Sequence, residues 1–225
     1  MRLFRHRRLP VPTLPGLVLL LLLAAGGARL GAPLLYRFLA AGQPAGSGSL
    51  VVEGWIHDHA IDRVAEQVAD GRYARVYTVG GPIPVGSRLA PYATFAEMTA
   101  ARLAAAGLPP GRIEAVPADP ALRDRTWASA RALRDRLALE PGAAQAFDLV
   151  TVGPHARRSR LTFRRVFGRD WRIGTIVIAP EDYDGGDWWR SSQGFRSVLS
   201  EALAYAHACL FRPRETASAP DPIVP

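Results

Sequence analysis

Five short apolar runs alternate with segments of helical periodicity in the chain after residue 48. The runs are mostly apolar, which is typical of strands that are buried on both faces of a parallel sheet. They lie at 49–54, 74–79, 112–117, 147–152 and 172–179. The helical segments lie at 58–70, 94–106, 126–138, 156–167 and 192–211. This alternation predicts an α/β fold, a three-layer sandwich around a five-stranded, mostly parallel Rossmann-like sheet.

The first 39 residues carry the pattern of a membrane segment. Four arginines lie within the first eight residues, and residues 9–28 are uncharged. About 20 apolar residues cross a bilayer as a helix, and a basic flank stays on the cytoplasmic side. The pattern predicts a single-pass anchor in the cytoplasmic (inner) membrane, with the α/β domain on the extracytoplasmic side. A cleaved signal peptide is the alternative, because small residues follow an apolar core of about ten residues.

Composition divides the chain into four parts. Residues 1–39 form the basic flank and the transmembrane or signal segment, and the small, Gly-rich residues 40–49 predict a linker. Residues 50–211 carry the α/β pattern, and the Pro-rich residues 212–225 predict a disordered tail.

Charge limits the partners that we expect. The net charge is +8, and the chain contains no lysine, so arginine supplies this positive charge. Arginine suits two-point recognition of a phosphate or carboxylate. The arginines are interleaved with 20 acidic residues and accompany none of the usual nucleic-acid-binding motifs, so we expect no nucleic-acid partner. The single cysteine, Cys209, excludes an internal disulfide and a cysteine-rich metal site.

The strand order predicts where a ligand binds. In open α/β sheets the ligand lies beyond the carboxyl ends of the strands, where the winding reverses. For the order 3-2-1-4-5 this point falls between the first and fourth strands. The segments that converge there are 53–55 and 153–158, and 79–82 and 123–126 flank them.

The segment GPHARR (153–158) places a histidine and two arginines at the start of a helix. Positive charge in the first turn opposes the helix dipole, and an anionic ligand would offset this cost. We therefore predict that Arg157 and Arg158 hold an anion, while His155 serves as general acid or base. The alternatives are a solvated Arg157 and an ion pair between Arg158 and Asp124 or Glu53. On this hypothesis, His155→Ala removes function and leaves stability nearly unchanged.

Other candidates flank this segment. Glu53 ends a buried strand, where a carboxylate is costly without a partner, and we predict that it or Asp124 orients His155 or shares its role. The remaining predicted ligand-binding residues are Gly54, Gly80, Gly81, Glu97, Arg125 and Thr126. Glycines allow a backbone to approach a ligand closely. A turn at 79–82 is an alternative for Gly80 and Gly81, and a helix cap is one for Asp124 and Thr126.

Two further patterns near the predicted site are a helix-capping motif and a pair of histidines. Glu97 lies three residues after Thr94, which is the spacing of a capping box at a helix start. His57 and His59 lie near Glu53 in sequence, but no recognisable metal motif spans them, so we assign no metal ligands.

Several segments resemble the YdcF/SanA/ElyC family of bacterial envelope and cytosolic proteins. They are LVVEGW, YTVGGP, YATFAE, RDRTWASA, VTVGPHARRSRLTFRRVFG and DWWRSS, in this order. The motif positions that the resemblance carries over are Gly80, Gly81, Glu97, Thr126, His155, Arg157 and Arg158. The chain has Glu53, Gly54 and Trp55 where many members have a glycine-rich turn.

The resemblance implies a Rossmann-like fold. Some members are membrane-anchored and linked to envelope integrity and to peptidoglycan or lipid-carrier metabolism, and one is reported to bind S-adenosylmethionine. We expect a membrane-anchored protein that binds, and acts on as a hydrolase or transferase, an anionic, phosphate-containing small molecule or lipid-linked envelope precursor. One alternative is a non-enzymatic module that binds an adenosine-type cofactor. Another is a structural partner of the membrane surface. The residues alone assign no cofactor.

Overall fold

The computed structural model describes residues 12–68, 71–84, 91–121, 123–140, 142 and 144–213. The helices are α1 (Leu14–Leu39), α2 (Asp58–Val68), α3 (Phe95–Ala105), α4 (Arg125–Ala138), α5 (Ala156–Phe167) and α6 (Ser192–Leu210). The strands are β1 (Ser49–Glu53), β2 (Val76–Gly80), β3 (Ile113–Pro117), β4 (Ala146–Val152) and β5 (Arg172–Ile178). The predicted basic flank before residue 12 and the predicted tail from residue 214 lie outside the described residues.

The five strands form one all-parallel sheet in the order β3-β2-β1-β4-β5. The predicted fold class is confirmed, and the strand order is the one for which the position of the ligand site was worked out. Glu53 pairs in register with Val79, and Val52 pairs with Val150. The carboxyl ends of β1 and β4 therefore lie side by side, where the direction of winding reverses.

Helices cover both faces of the sheet and bury an apolar layer on each side. Leu50 and Val52 of β1 pack with α2 and Leu103 of α3 on one face. Val51 of the same strand packs on the other face with α4 and α5, including Leu133 and Phe163. Successive strand residues point to opposite faces, so an uninterrupted apolar run is what a sheet covered on both sides requires.

Among its described side chains, helix α1 packs on the domain with those of its second half. Leu39 is buried with Trp188 and Val198, and Ala32, Leu35 and Tyr36 pack around them. The leucines of the first half are exposed. By length and composition, α1 could cross a membrane. The boundary predicted at residue 39 therefore falls where the helix is already part of the folded domain.

Residues 40–49, for which the composition predicts a linker, lie against the sheet. Gln43 and Thr175 of β5 exchange backbone hydrogen bonds of 2.9 and 3.0 Å. The buried carboxylate of Asp148 accepts hydrogen bonds from the backbone N–H groups of Ala45 and Gly46 and from the Tyr73 hydroxyl. These contacts fix the segment along the edge of the sheet, because a buried carboxylate needs such donors.

Candidate functional site

A cleft of about 1080 Å³ lies beyond the carboxyl ends of the strands. Most of the predicted site residues line it, namely Glu53, Gly80, Gly81, Asp124, Arg125, Thr126, His155 and Arg158. Gly54, Glu97 and Arg157 are not among its lining residues. The cleft thus occupies the place that the topology of the sheet predicts for a ligand.

His155 and Glu53 form a buried pair at the centre of this end of the sheet. A short 3₁₀ turn (Gly153–His155) follows β4 and brings His155 beside the end of β1. The His155 Nε2 atom lies 3.5 Å from Glu53 Oε1, and the two side chains are only 11% and 5% exposed. The Ser159 hydroxyl donates a 2.9 Å hydrogen bond to Glu53 Oε1.

Glu201 of α6 completes the cluster from the other side. Its Oε1 atom lies 2.9 Å from His155 Nδ1. The Arg158 guanidinium donates hydrogen bonds of 2.8 and 3.0 Å to the same carboxylate from Nε and Nη2. Arg158 Nη2 also lies 2.9 Å from His155 Nδ1. When the ring is protonated, Nδ1 can only donate, so Glu201 is the partner that His155 and Arg158 share.

The cluster favours the charged form of each member. Burial alone would lower the pKa of His155, but the charge of Glu53 and the hydrogen bond with Glu201 outweigh it and raise the pKa to about 9. Burial would raise the pKa of Glu53, yet the positive charge of His155 holds it below the usual value. Burial is likewise outweighed at Glu201, where His155 and Arg158 lower the pKa to about 2. At neutral pH, His155 is therefore an imidazolium between two carboxylates.

Two buried polar atoms of this pair have no hydrogen-bond partner. They are His155 Nε2 and Glu53 Oε2. The 3.5 Å that separates Nε2 from Glu53 Oε1 is too long for a good hydrogen bond. An orphaned buried donor is costly, and here it belongs to a protonated ring that lines the cleft.

Arg157 does not reach the cleft. Its Nε–H donates to the backbone carbonyl of Phe38, and its guanidinium carbon lies 3.9 Å from the centre of the Phe38 ring. The prediction that Arg157 and Arg158 together hold an anion is therefore corrected. Glu201 offsets the charge of Arg158, and the last turn of α1 binds Arg157. Groups of the chain itself therefore compensate the positive charge in the first turn of α5.

Glu97 and Gly54 have structural roles. The Glu97 carboxylate accepts hydrogen bonds from the Thr94 backbone N–H and hydroxyl, which completes the capping box of α3. Gly54 packs under the start of α3, where a β-carbon would lie 2.7 Å from the Phe95 carbonyl oxygen. Neither residue is free to bind a ligand in the cleft.

Gly54→Ala is expected to destabilise the protein by about 1–3 kcal/mol, because the methyl group has no room beside two backbone carbonyls. Gly81→Ala is the matched control, since its nearest neighbour would be an Asp119 carbonyl at 3.5 Å. We expect the control to stay within about 0.5 kcal/mol of the parent. Urea unfolding of both variants measures the difference. Equal effects would contradict the packing role of Gly54.

The start of α4 forms another wall of the cleft. Asp124 precedes the helix with φ 56° and ψ 36°, and its side chain makes no capping hydrogen bond. Among the described residues other than glycine, Asp124 alone has positive φ. Arg125 and Thr126 follow it at the cleft wall. The first N–H groups of a helix lack partners within the helix, so this uncapped start, together with Arg125, suits a single anionic group.

Carboxylates outnumber cations around the cleft. In the part of the chain that the structure describes, Glu53, Asp119, Asp124, Glu181, Asp182 and Glu201 line it, whereas its arginines are Arg125 and Arg158. His57 and His59 also lie on its wall. No group of three or more histidine, cysteine or acidic side chains in the described residues is arranged to hold a metal ion. This balance of charge disfavours a ligand with several negative charges.

Sequence reasoning missed Glu201, and it named Trp55 only as part of the converging segment 53–55 and gave it no role. Glu201 is the only charged residue in 197–206, an otherwise apolar or small stretch, and this lone carboxylate was the available signal. Trp55 lies at the mouth of the cleft with its ring centre 4.9 Å from that of His155. The strand order brings its segment beside 153–158, but it does not predict that the two rings themselves are in contact.

Comparison with family models finds none that matches the chain. A comparison with curated proteins gives no match either. The resemblance to the YdcF/SanA/ElyC family therefore stays a prediction that depends on the segments quoted above.

Proposed function

We propose that the chain is a membrane-anchored envelope protein of the YdcF/SanA type that transfers a proton to a small ligand bound in the cleft. The observation that carries this proposal is the charged His155 ring at the cleft wall, whose Nε2 atom lies 3.5 Å from Glu53, too far for a good hydrogen bond, and whose Nδ1 atom lies 2.9 Å from Glu201. Such a group acts as a general acid or stabilises a developing oxyanion. Glu53 keeps the ring charged, and Glu201 positions it.

The ligand that fits the lining of the cleft carries one phosphate and several hydroxyl groups. Arg125 and the start of α4 bind the phosphate. The surrounding carboxylates accept hydrogen bonds from hydroxyl groups. A glycosyl phosphate in envelope or peptidoglycan precursor metabolism has this chemistry, and its hydrolysis or transfer needs a proton at the leaving oxygen.

The excess of carboxylates around the cleft favours a second candidate function. S-Adenosylmethionine carries a sulfonium and an ammonium group, and both are attracted to an acidic cleft. In this alternative, the domain is a binding module for an adenosine-type cofactor, and the exposed face of Trp55 stacks on the adenine ring.

The substitution Arg125→Gln separates the two candidates. It is expected to weaken the binding of a glycosyl phosphate about tenfold, because a charge-assisted hydrogen bond is lost. Binding of S-adenosylmethionine would instead be unchanged or stronger, since a positive charge leaves the cleft. Titration calorimetry on the full-length protein in detergent measures both. Arg123→Gln is the matched control, because Arg123 is exposed and outside the cleft wall. An unchanged affinity for the glycosyl phosphate contradicts the first candidate.

A further inference from the structure

The contacts of α1 fix the direction in which its exposed half leaves the domain. Close to its end, Phe38 contacts Arg157 at the start of α5. Two residues earlier, the Tyr36 ring centre lies 6.3 Å from that of Tyr183. Tyr183 belongs to the segment after β5, so α1 already lies beside the carboxyl end of the sheet at this point.

Earlier residues of α1 contact parts of the same segment that lie further along the chain. The indole N–H of Trp188 donates a 2.8 Å hydrogen bond to the Ala32 carbonyl. The Arg29 guanidinium lies 5.0 Å from the centre of the Trp189 ring. The helix therefore passes the segment after β5 and continues beyond it. Its exposed half projects from the end of the sheet that bears the cleft.

The exposed half has the length and the boundary of a bilayer span. Residues 14–30 extend about 25 Å at a rise of 1.5 Å per residue, close to the hydrocarbon thickness of roughly 30 Å. Arg29 and Trp189 mark the point where the helix meets the domain. Arginine and tryptophan side chains are the groups that settle at a membrane–water interface.

The first turn of α6 adds an apolar side chain, Phe195, beside the tryptophans that contact α1. Phe195 is 49% exposed, and its ring centre lies 6.0 Å from that of Trp188. An aromatic ring exposed beside tryptophans that contact α1 continues the interfacial surface away from the helix.

The cleft and this surface share a wall. Pro180, Glu181, Asp182 and Tyr183 line the cleft, and Tyr183 also contacts Tyr36 of α1. The segment that separates the cleft from α1 is thus a single loop. A bilayer that surrounds the exposed half of α1 would lie directly beside the cleft.

We propose that the carboxyl end of the sheet faces a lipid bilayer, with Arg29, Trp189 and Phe195 at the interface, and that the cleft takes its ligand from the membrane surface. This inference rests on the membrane anchoring in the proposed function, and it does not depend on the chemistry of His155. It narrows the substrate class to lipid-linked molecules whose head group stands at the interface.

Two labelled variants of the full-length protein test this orientation. Cys209, which is exposed, is first replaced by alanine so that each protein carries one thiol. Arg190→Cys places a fluorophore beside Trp189, where the Arg190 side chain is 74% exposed. Arg169→Cys is the matched control, because Arg169 is exposed in the turn before β5. The length of β5, about 20 Å, separates the two ends of the sheet.

Both proteins are reconstituted in phosphatidylcholine vesicles with and without a lipid that carries a nitroxide quencher on its head group. We expect the label at Arg190 to lose most of its fluorescence and the label at Arg169 to keep most of it. Equal quenching of both labels, stronger quenching at Arg169, or no quenching at either would overturn the orientation. Extraction of the protein from the vesicles by alkaline carbonate would also overturn it. Ligand binding in detergent, measured with Arg125→Gln, tests the site separately.

Discussion

Replacing His155 with alanine is expected to destabilise the native protein by about 3–5 kcal/mol, because the substitution leaves a buried carboxylate without its partner. Glu53 is only 5% exposed and lies 3.5 Å from the imidazole. Ser159 supplies one hydrogen bond to it, and Arg158, a remaining cation whose charge acts on Glu53, is bound to Glu201. The expectation from sequence, that this substitution hardly changes stability, is incompatible with the burial of the pair.

Urea unfolding of the full-length protein in detergent measures this loss, and two further variants assign it. His207→Ala, an exposed histidine on α6, should change the free energy of unfolding by less than about 0.5 kcal/mol. Adding Glu53→Gln to His155→Ala should recover part of the loss, because the uncompensated charge is removed. If the loss of unfolding free energy in the double variant equals the sum of the losses in the two single variants, the two residues do not form a coupled pair.

The pH dependence provides a second measurement of the same pair. The pKa of His155 is raised from about 6.5 in an unfolded chain to about 9 in the folded protein. The folded protein therefore holds this proton more tightly, and its contribution to stability is complete below pH 6.5 and is lost as the pH rises through 9. The difference between the parent and His155→Ala should accordingly shrink over this range.

The sheet and its switch point were predictable from sequence because they depend on local patterns. Mostly apolar runs such as 147–152 predict buried parallel strands, and the helical segments between them predict the crossovers. The same logic places Glu53 and His155 at the ends of adjacent strands before any contact is known. What local patterns cannot give is the partner of each side chain across the fold.

Arg157 and Arg158 show this limit. Their positions at the start of a helix correctly indicate that a compensating group is needed. The group that compensates Arg158 is Glu201, which lies 43 residues later on α6. The group that binds Arg157 is the carbonyl of Phe38, which lies 119 residues earlier. A sequence pattern cannot distinguish an external anion from such distant groups, so the predicted anion site moves to the start of α4.

The second half of α1 shows the same limit for apolar residues. Leu35, Tyr36 and Leu39 continue the apolar character of the first half, but they pack against α6 and the segment after β5. A helix face buried in protein and one exposed to lipid both consist of apolar side chains. The sequence therefore predicts an apolar helix correctly, and the structure is needed to locate the point where it leaves the domain.

Replacing His155 with glutamine should reduce turnover of a glycosyl phosphate by roughly 10²–10⁴-fold, the usual contribution of a general acid. Glutamine keeps a hydrogen-bond donor in the cleft but has no proton to transfer. Phosphate release by the full-length protein in detergent is the measurement. His207→Gln is the control, because it makes the same chemical change outside the cleft, and it should leave turnover unchanged. Equal turnover by parent and His155→Gln would exclude His155 as the acid.

The pH profile tests whether His155 acts in its protonated form. An acid whose pKa is about 9 is active at neutral pH and loses activity as the pH rises through 9. Glu201→Gln removes one of the two carboxylates that raise this pKa, so the alkaline limb of the profile should move to lower pH while activity at pH 6 is largely kept. A purely structural Glu201 would lower activity at every pH and leave the limb in place. A shifted limb would identify Glu201 as the residue that positions His155 and keeps it protonated.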